Sequence, residues 1–296
     1  MIYFFACLIT SLVSYCLFPT SIALSNLVGA IDYPNKRKSH TTPTPRGGGF
    51  AFFLAFSLVL IVFRVDLDLK LPLLLGGTFI FFIGFLDDAI SLSPFMKLSG
   101  QFFALALYHF ISEILDYNLS IFQGIFMAIW IIFITNATNI IDGIDGLSAG
   151  VCASESLCLS VLALIFGNQN ILVCSIFLFS AIIGFLPHNF PNAKIFMGDC
   201  GALFLGFTLS VLSSRLVIES KNTLCFLSTL LIFLVPIYDT SFSIFRRLIE
   251  KQNPFKADKK HFHHLLLEHG FTKECASLFL ITASLLLGFL GVIILI

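Results

Sequence analysis

Charge is scarce in this sequence. Lysine, arginine, aspartate and glutamate make up 11% of its 296 residues and cancel to a formal net charge of zero. With that balance, and with no basic tail or low-complexity tract, nucleic acid is not expected as a partner. The eight cysteines, Cys7, Cys16, Cys152, Cys158, Cys174, Cys200, Cys225 and Cys275, lack metal-type spacing and read as small hydrophobes. No basic residue precedes the first apolar run and no convincing small-residue cleavage site follows it. The run is therefore expected to be a retained membrane span, not a cleaved leader.

What fills the chain instead is apolar: 57% hydrophobic residues, 36 of them phenylalanine, and a mean hydropathy of +0.97, outside the range of soluble domains. A helix crossing lipid needs about 20 apolar residues, because its backbone must satisfy its own hydrogen bonds. Ten such stretches can be drawn, at 2–24, 47–64, 71–86, 98–114, 121–137, 146–166, 171–188, 200–217, 223–245 and 275–296. The expected fold class is all-α, a polytopic integral membrane protein forming one domain over 1–296. Only the connection 246–274 is long enough for structure of its own, with a short helix expected within Lys259 to His269.

Lys36, Arg37, Lys38 and Arg46 follow the first stretch, which places that loop in the cytoplasm and the N-terminus outside. Counting alternate loops puts thirteen of the 17 basic residues on the cytoplasmic side. Only Arg64, Lys70, Arg215 and Lys221 fall on the other.

The unusual polar residues share that side. Asp87 and Asp88 follow the third stretch, Asp142 and Asp145 the fifth, Asn189 and Asp199 the seventh, and His261, His263 and His264 the ninth. Acids, amides and histidines gathered at one membrane face suit a divalent cation and a phosphorylated substrate. Mg²⁺ binds through one or two carboxylates plus phosphate and water oxygens. Without a cation, this many acids would repel a polyphosphate.

In their observed order, PTPRGGG, FLDDAISLSPFMKLSGQ, NATNIIDGIDGLSAG, FMGDCGALFLG and HFHH resemble the polyprenyl-phosphate N-acetylhexosamine-1-phosphate transferases, a family related to the phospho-MurNAc-pentapeptide translocase. The match runs from about Lys36 to Gly270. The resemblance implies transfer of a sugar phosphate from a UDP-N-acetylhexosamine to undecaprenyl or another polyprenyl phosphate with release of UMP. It implies Mg²⁺, or Mn²⁺ in its place, as cofactor. The setting would be the bacterial inner membrane, with the site facing the cytoplasm, at the first membrane step of O-antigen or a related envelope glycan. Oligomeric state stays open, a homodimer included.

The resemblance carries over to particular residues. Asp199 matches the family's metal-binding aspartate, the plain alternative being a helix N-cap. Phe196 matches a position that stacks on uracil, and Asn189 one near the metal or diphosphate, though a turn amide would look the same. Asp87 and Asp88 point about 100° apart on a helix, so only one is expected to face the site. Lys97, on one face with Gln101, is the natural phosphate cation or else a membrane-edge anchor. Asn136, Asn139, Asp142 and Asp145 step by three, aligning on a continuing helix into one polar stripe. In the family, Asn139 helps hold the metal and Asp142 and Asp145 line the nucleotide pocket. Gly143 and Gly146 would let substrate or backbone come close.

His261, His263 and His264 lack the partner ligands of a zinc site, and contact with phosphate or sugar is expected. Leu265 stands where this branch usually has arginine, and Ala202 where serine is usual. Lys38 and His40 are further phosphate contacts. Gly47, Gly48 and Gly49 either cradle phosphate or permit close helix packing. Asp239 matches a family position without a clear role, and Glu155 lies deep in the sixth stretch. Two other readings stand beside the transferase. Peptidoglycan-precursor translocase chemistry would bring a longer histidine run. A secondary transporter would bring midplane charges and repeated halves.

Overall fold

Each apolar stretch is helical in the computed structural model, which describes residues 1–34, 42–251 and 261–295. The first stretch forms α1 (Ile2–Cys16) and α2 (Phe18–Val28), and a two-residue antiparallel pair follows, β1 (Ile31–Asp32) with β2 (Thr44–Pro45). Next come α3 (Gly49–Val62), α4 (Leu67–Ile90), α5 (Pro94–Ile114), α6 (Ile121–Ile140), α7 (Leu147–Ile165), α8 (Gln169–Asn189) and α9 (Gly198–Ser220). The chain closes with α10 (Thr223–Ile232), α11 (Leu234–Ile249), α12 (Phe262–Glu268) and α13 (Lys273–Ile293).

Two of the expected spans are not single straight helices. The first bends by 41° between α1 and α2, and the ninth by 74° between α10 and α11. Pro19 and Pro236 sit in the first turn after each bend, where a missing N–H is tolerated and the preceding helix cannot run on. Among the described residues, six helices are long and apolar enough to cross a bilayer, or eight if each bent pair is one span. Of the remaining two expected spans, α3 has only 14 residues, and α5 is punctuated by Lys97, Gln101, His109 and Glu113.

The most enclosed element is α9, buried at nearly every position from Gly198 to Leu216, with α4 and α6 against its sides. Small residues make that enclosure possible. Gly84 on α4 leaves no room for a side chain, because a Cβ there would lie 2.5 Å from the Cα of Cys200. This contact sets the C-terminal turn of α4 beside the first turn of α9. Far along α9, Arg215 forms ion pairs with Asp68 at 2.6 Å and Glu219 at 2.8 Å, its guanidinium 3.7 Å from the Tyr117 ring centroid. That knot ties α4, α9 and the connection between α5 and α6 at the end of the bundle opposite the carboxylates described next.

Candidate active site

The four groups expected to be catalytic meet where α4, α5 and α9 converge, and they divide their work. Asp88 is turned inward: its carboxylate accepts hydrogen bonds from the backbone N–H of Asp199 at 2.9 Å and of Cys200 at 3.0 Å. Those are unpaired donors of the first turn of α9, where a negative charge is favoured. Asp199 therefore does not cap its own helix, because α4 supplies the cap. Asp87 turns the other way. It accepts from the N–H of Leu92 at 2.6 Å and meets Lys97 Nζ at 2.6 Å, while the same ammonium lies 2.5 Å from Asp199 Oδ2. One cation from α5 thus holds two carboxylates from two other helices, and the Asp199 side chain remains 19% exposed.

The polar stripe expected on one continuing helix is broken. α6 ends at Ile140, a turn occupies 141–146, and α7 begins at Leu147. Gly146 takes φ +72, a left-handed conformation at the N-cap of α7 that separates it from α6. Asn136 and Asn139 stay on the last turns of α6, and Asp142 and Asp145 lie in the turn. Asn136 is engaged by a reciprocal amide pair with Gln101, at 2.6 and 3.1 Å, and does not stand open to a nucleotide. Asn139 differs, since its buried Oδ1 has no hydrogen-bond partner. Burial first, and then the charge of Asp199, push the Asp142 carboxyl up to about 7.

Asp145 accepts from the N–H of Ala193 at 3.1 Å. Asn189 accepts from the N–H of Gly146 at 3.1 Å and donates to the carbonyl of Ile195 at 3.0 Å. Expected near the metal or diphosphate, its amide is instead spent on both atoms bracing the two loops.

The glycine tract packs and does not cradle. Gly47 N–H donates to Ser25 Oγ, Gly48 N–H to the Phe196 carbonyl and Gly49 N–H to the Met197 carbonyl, so no donor is left for phosphate. Phe196 N–H in turn donates to the Pro45 carbonyl, which fixes the backbone of this half-buried phenylalanine. The pairing brings in a residue that sequence reasoning used only as a topological charge. Arg46 lies 3.9 Å from Asp32 at the rim of the cluster. Burial works against its charge, yet Asp88, Asp32, Asp199 and Asp142 hold its pKa above the usual arginine value. An arginine directly before three glycines was the available signal.

The close approach allowed by Gly143 is made by protein, since a Cβ there would lie 2.6 Å from His263 Cε1. His263 is buried and its Nε2 has no hydrogen-bond partner. The His264 ring lies against it, tilted by 45° with centroids 4.2 Å apart, and His261 bonds to Asp239 at 2.9 Å. Burial first, and then His264, push His263 down from the usual 6.5 to about 4. The unfolded chain takes up this proton at higher pH than the folded one. Stability tied to the imidazole is therefore complete above about pH 6.5 and lost as pH falls toward about 4. Melting temperature should fall across that window more steeply in the wild type than in His263→Gln, and equal slopes would show that another group titrates.

Lys38 and His40 lie outside the described residues. Glu155, about 12 Å along α7 from the turn, is buried with neither carboxylate oxygen hydrogen-bonded.

Among the described residues, no three histidine, cysteine, aspartate or glutamate side chains form a ready-made metal cage. Mg²⁺ does not need one, because it is commonly held by one or two carboxylates plus substrate phosphates. A partly exposed Asp199 and the orphaned Oδ1 of Asn139 fit such a hard cation.

A model of glycosyl transferase family 4 matches residues 71–217. The chain is 34% identical to a Bacillus subtilis protein named probable undecaprenyl-phosphate N-acetylglucosaminyl 1-phosphate transferase, over 85% of this chain and 73% of that one. It is 35% identical to the undecaprenyl-phosphate alpha-N-acetylglucosaminyl 1-phosphate transferase of Thermotoga maritima, over 88% of this chain and 80% of that one. To the Escherichia coli protein of the same name it is 28% identical, over 96% and 83%.

Proposed function

Because the chain belongs to glycosyl transferase family 4, we propose that it transfers N-acetylglucosamine 1-phosphate from UDP-N-acetylglucosamine to undecaprenyl phosphate and releases UMP. The observation that carries this proposal is the cluster in which Lys97 joins Asp87 and Asp199 while Asp88 caps the helix bearing Asp199. The positively charged loops flanking it support a cytoplasmic site, where a nucleotide sugar is available.

The acceptor is a phosphate monoester with a second pKa near ~6, so at neutral pH it is already mostly dianionic. No general base is needed, and neither Asp87 nor Asp88 is assigned that role. An acceptor oxygen attacks the phosphorus nearest the sugar, forming one P–O bond, while the P–O bond to the UMP phosphate breaks on the opposite side. Lys97 and Arg46 supply positive charge to the diphosphate, and the Phe196 ring stacks on uracil. Asp142 and Asp145 line the nucleotide pocket. Mg²⁺, or Mn²⁺ in its place, would be held by Asp199 and Asn139 and would neutralise charge on the diphosphate and the leaving UMP.

Purified protein given UDP-N-acetylglucosamine, Mg²⁺ and undecaprenyl phosphate should release UMP and form a lipid-linked sugar diphosphate. UDP-linked GalNAc, FucNAc, QuiNAc and MurNAc-pentapeptide should be poorer donors. Release of UMP from none of them would overturn the proposal, and a preference for MurNAc-pentapeptide would move the chain to peptidoglycan synthesis. The carboxylates joined by Lys97, together with Arg46, lie at one end of the bundle, with Glu155 the lone acid deep in a span among the described residues, which disfavours a transporter.

A further inference from the structure

Asp239 has no part in the cluster around Lys97, yet it is buried and both of its carboxylate oxygens are engaged. It stands on α11, just past the 74° break, where the helix leaves the line of α10 and passes beneath the histidine motif. Its Oδ1 accepts from the N–H of Phe262 at 2.6 Å, the first residue of α12. Its Oδ2 lies 2.9 Å from His261 Nδ1, and the hydroxyl of Ser243, one helical turn further along α11, lies 3.2 Å from the same nitrogen. A single side chain therefore holds the start of α12 and the imidazole that precedes it.

Two physical consequences follow. An N-terminal N–H of a helix is an unpaired donor, and a carboxylate there is the favoured partner, so Asp239 fixes where α12 begins. A carboxylate on Nδ1 also fixes the orientation of the imidazole and leaves Nε2, on the far side of the ring, to face another partner. His261 and His263 rings lie nearly parallel, 9° apart with centroids 6.0 Å apart, and His263 is seated against Gly143 in the turn that carries Asp142 and Asp145. Through α12, the position of Asp239 is thus coupled to the turn beside the carboxylates.

We propose that Asp239 is a positioning residue for the transfer reaction, holding α12 and His261 so that the histidine motif meets the phosphates of the nucleotide sugar. This rests on the transferase function proposed above. Asp239→Ala removes both contacts, whereas Asp239→Asn keeps an oxygen acceptor for the Phe262 N–H. In the full-length enzyme, amide hydrogen exchange over 262–268 should quicken at least tenfold in Asp239→Ala and less in Asp239→Asn.

KM for UDP-N-acetylglucosamine should rise about tenfold or more in Asp239→Ala, with KM for undecaprenyl phosphate little changed and partial rescue in Asp239→Asn. The variant Asp239→Ala/His261→Ala should lose less than the product of the two single losses, because the two residues share one contact. Multiplying losses, or faster exchange with unchanged donor KM, would overturn the positioning role while leaving the transferase intact. A wild-type enzyme that releases no UMP, with exchange still responding to Asp239→Ala, would instead overturn the function on which the proposal rests.

Discussion

Asp199→Asn is expected to lower the rate of UMP release by about 10³-fold or more while leaving the fold in place. Asparagine has the same shape, and what Asp199 gives to packing is its backbone: its N–H donates to Asp88, and that bond survives the substitution. Lys97 keeps its 2.6 Å contact with Asp87. Only the carboxylate charge is removed, at the point where the proposed cation and substrate diphosphate would be accommodated together. Neutralisation of charge on a transferring phosphoryl group is worth several kcal/mol, and every 1.36 kcal/mol is tenfold in rate. About 4 kcal/mol therefore corresponds to the loss expected. The check is UMP release at saturating donor, titrated with Mg²⁺ and Mn²⁺, beside a melting curve. Activity within tenfold of wild type at an unchanged melting temperature would remove Asp199 from the metal site.

Asp88→Asn serves as the contrast. Its oxygens face backbone N–H groups, so its loss should appear first as a lower melting temperature, and its effect on rate should follow from the displacement of Asp199.

The placement of these groups at one end of the bundle was legible from sequence, because hydrophobic runs mark the spans and Asp87, Asp88, Asp142, Asp145 and Asp199 fall near their ends. Which atoms remain open was not legible. Asn189 and Asn136 carry the same amide as Asn139, but only contacts across the fold reveal that the first two are consumed by Gly146, Ile195 and Gln101 while the Oδ1 of the third is unpaired. Periodicity also failed locally. Steps of three from Asn136 to Asp145 fit a helix, yet α6 stops at Ile140 and the chain turns until Gly146, at φ +72, starts α7, a backbone choice that side-chain spacing does not record. The 74° break before Asp239 is of the same kind: Pro236 marks it, but only the fold shows that the break turns Asp239 toward a histidine 22 positions away.

Lys97 is where the second large effect is expected. Among the described residues it alone forms ion pairs with both Asp87 and Asp199, at 2.6 and 2.5 Å, and its side chain is 24% exposed. Removing one partner from a largely buried ion pair costs about 3–5 kcal/mol, because the remaining charge is left uncompensated, and partial exposure places this cluster at the lower end. Lys97→Met should therefore both destabilise the protein and reduce UMP release by about 10²-fold or more.

Lys97→Arg should recover little of that activity. A guanidinium is a planar fork suited to one carboxylate side-on, whereas this position asks a compact ammonium to meet single oxygens of two carboxylates on different helices. Mg²⁺ provides a second readout. With its own cation gone, the pair Asp87 and Asp199 should gain more from a divalent ion, so the rise in melting temperature on adding Mg²⁺ should be larger in Lys97→Met than in wild type. Stability restored by Mg²⁺ without activity would separate the two tasks of Lys97, since the ion can replace its charge between the carboxylates but not its hydrogen bonds to a substrate phosphate. Near-normal UMP release by Lys97→Met would show instead that the ammonium is a structural strut between α4, α5 and α9, and that the positive charge met by the diphosphate comes from elsewhere, with Arg46 the nearest source.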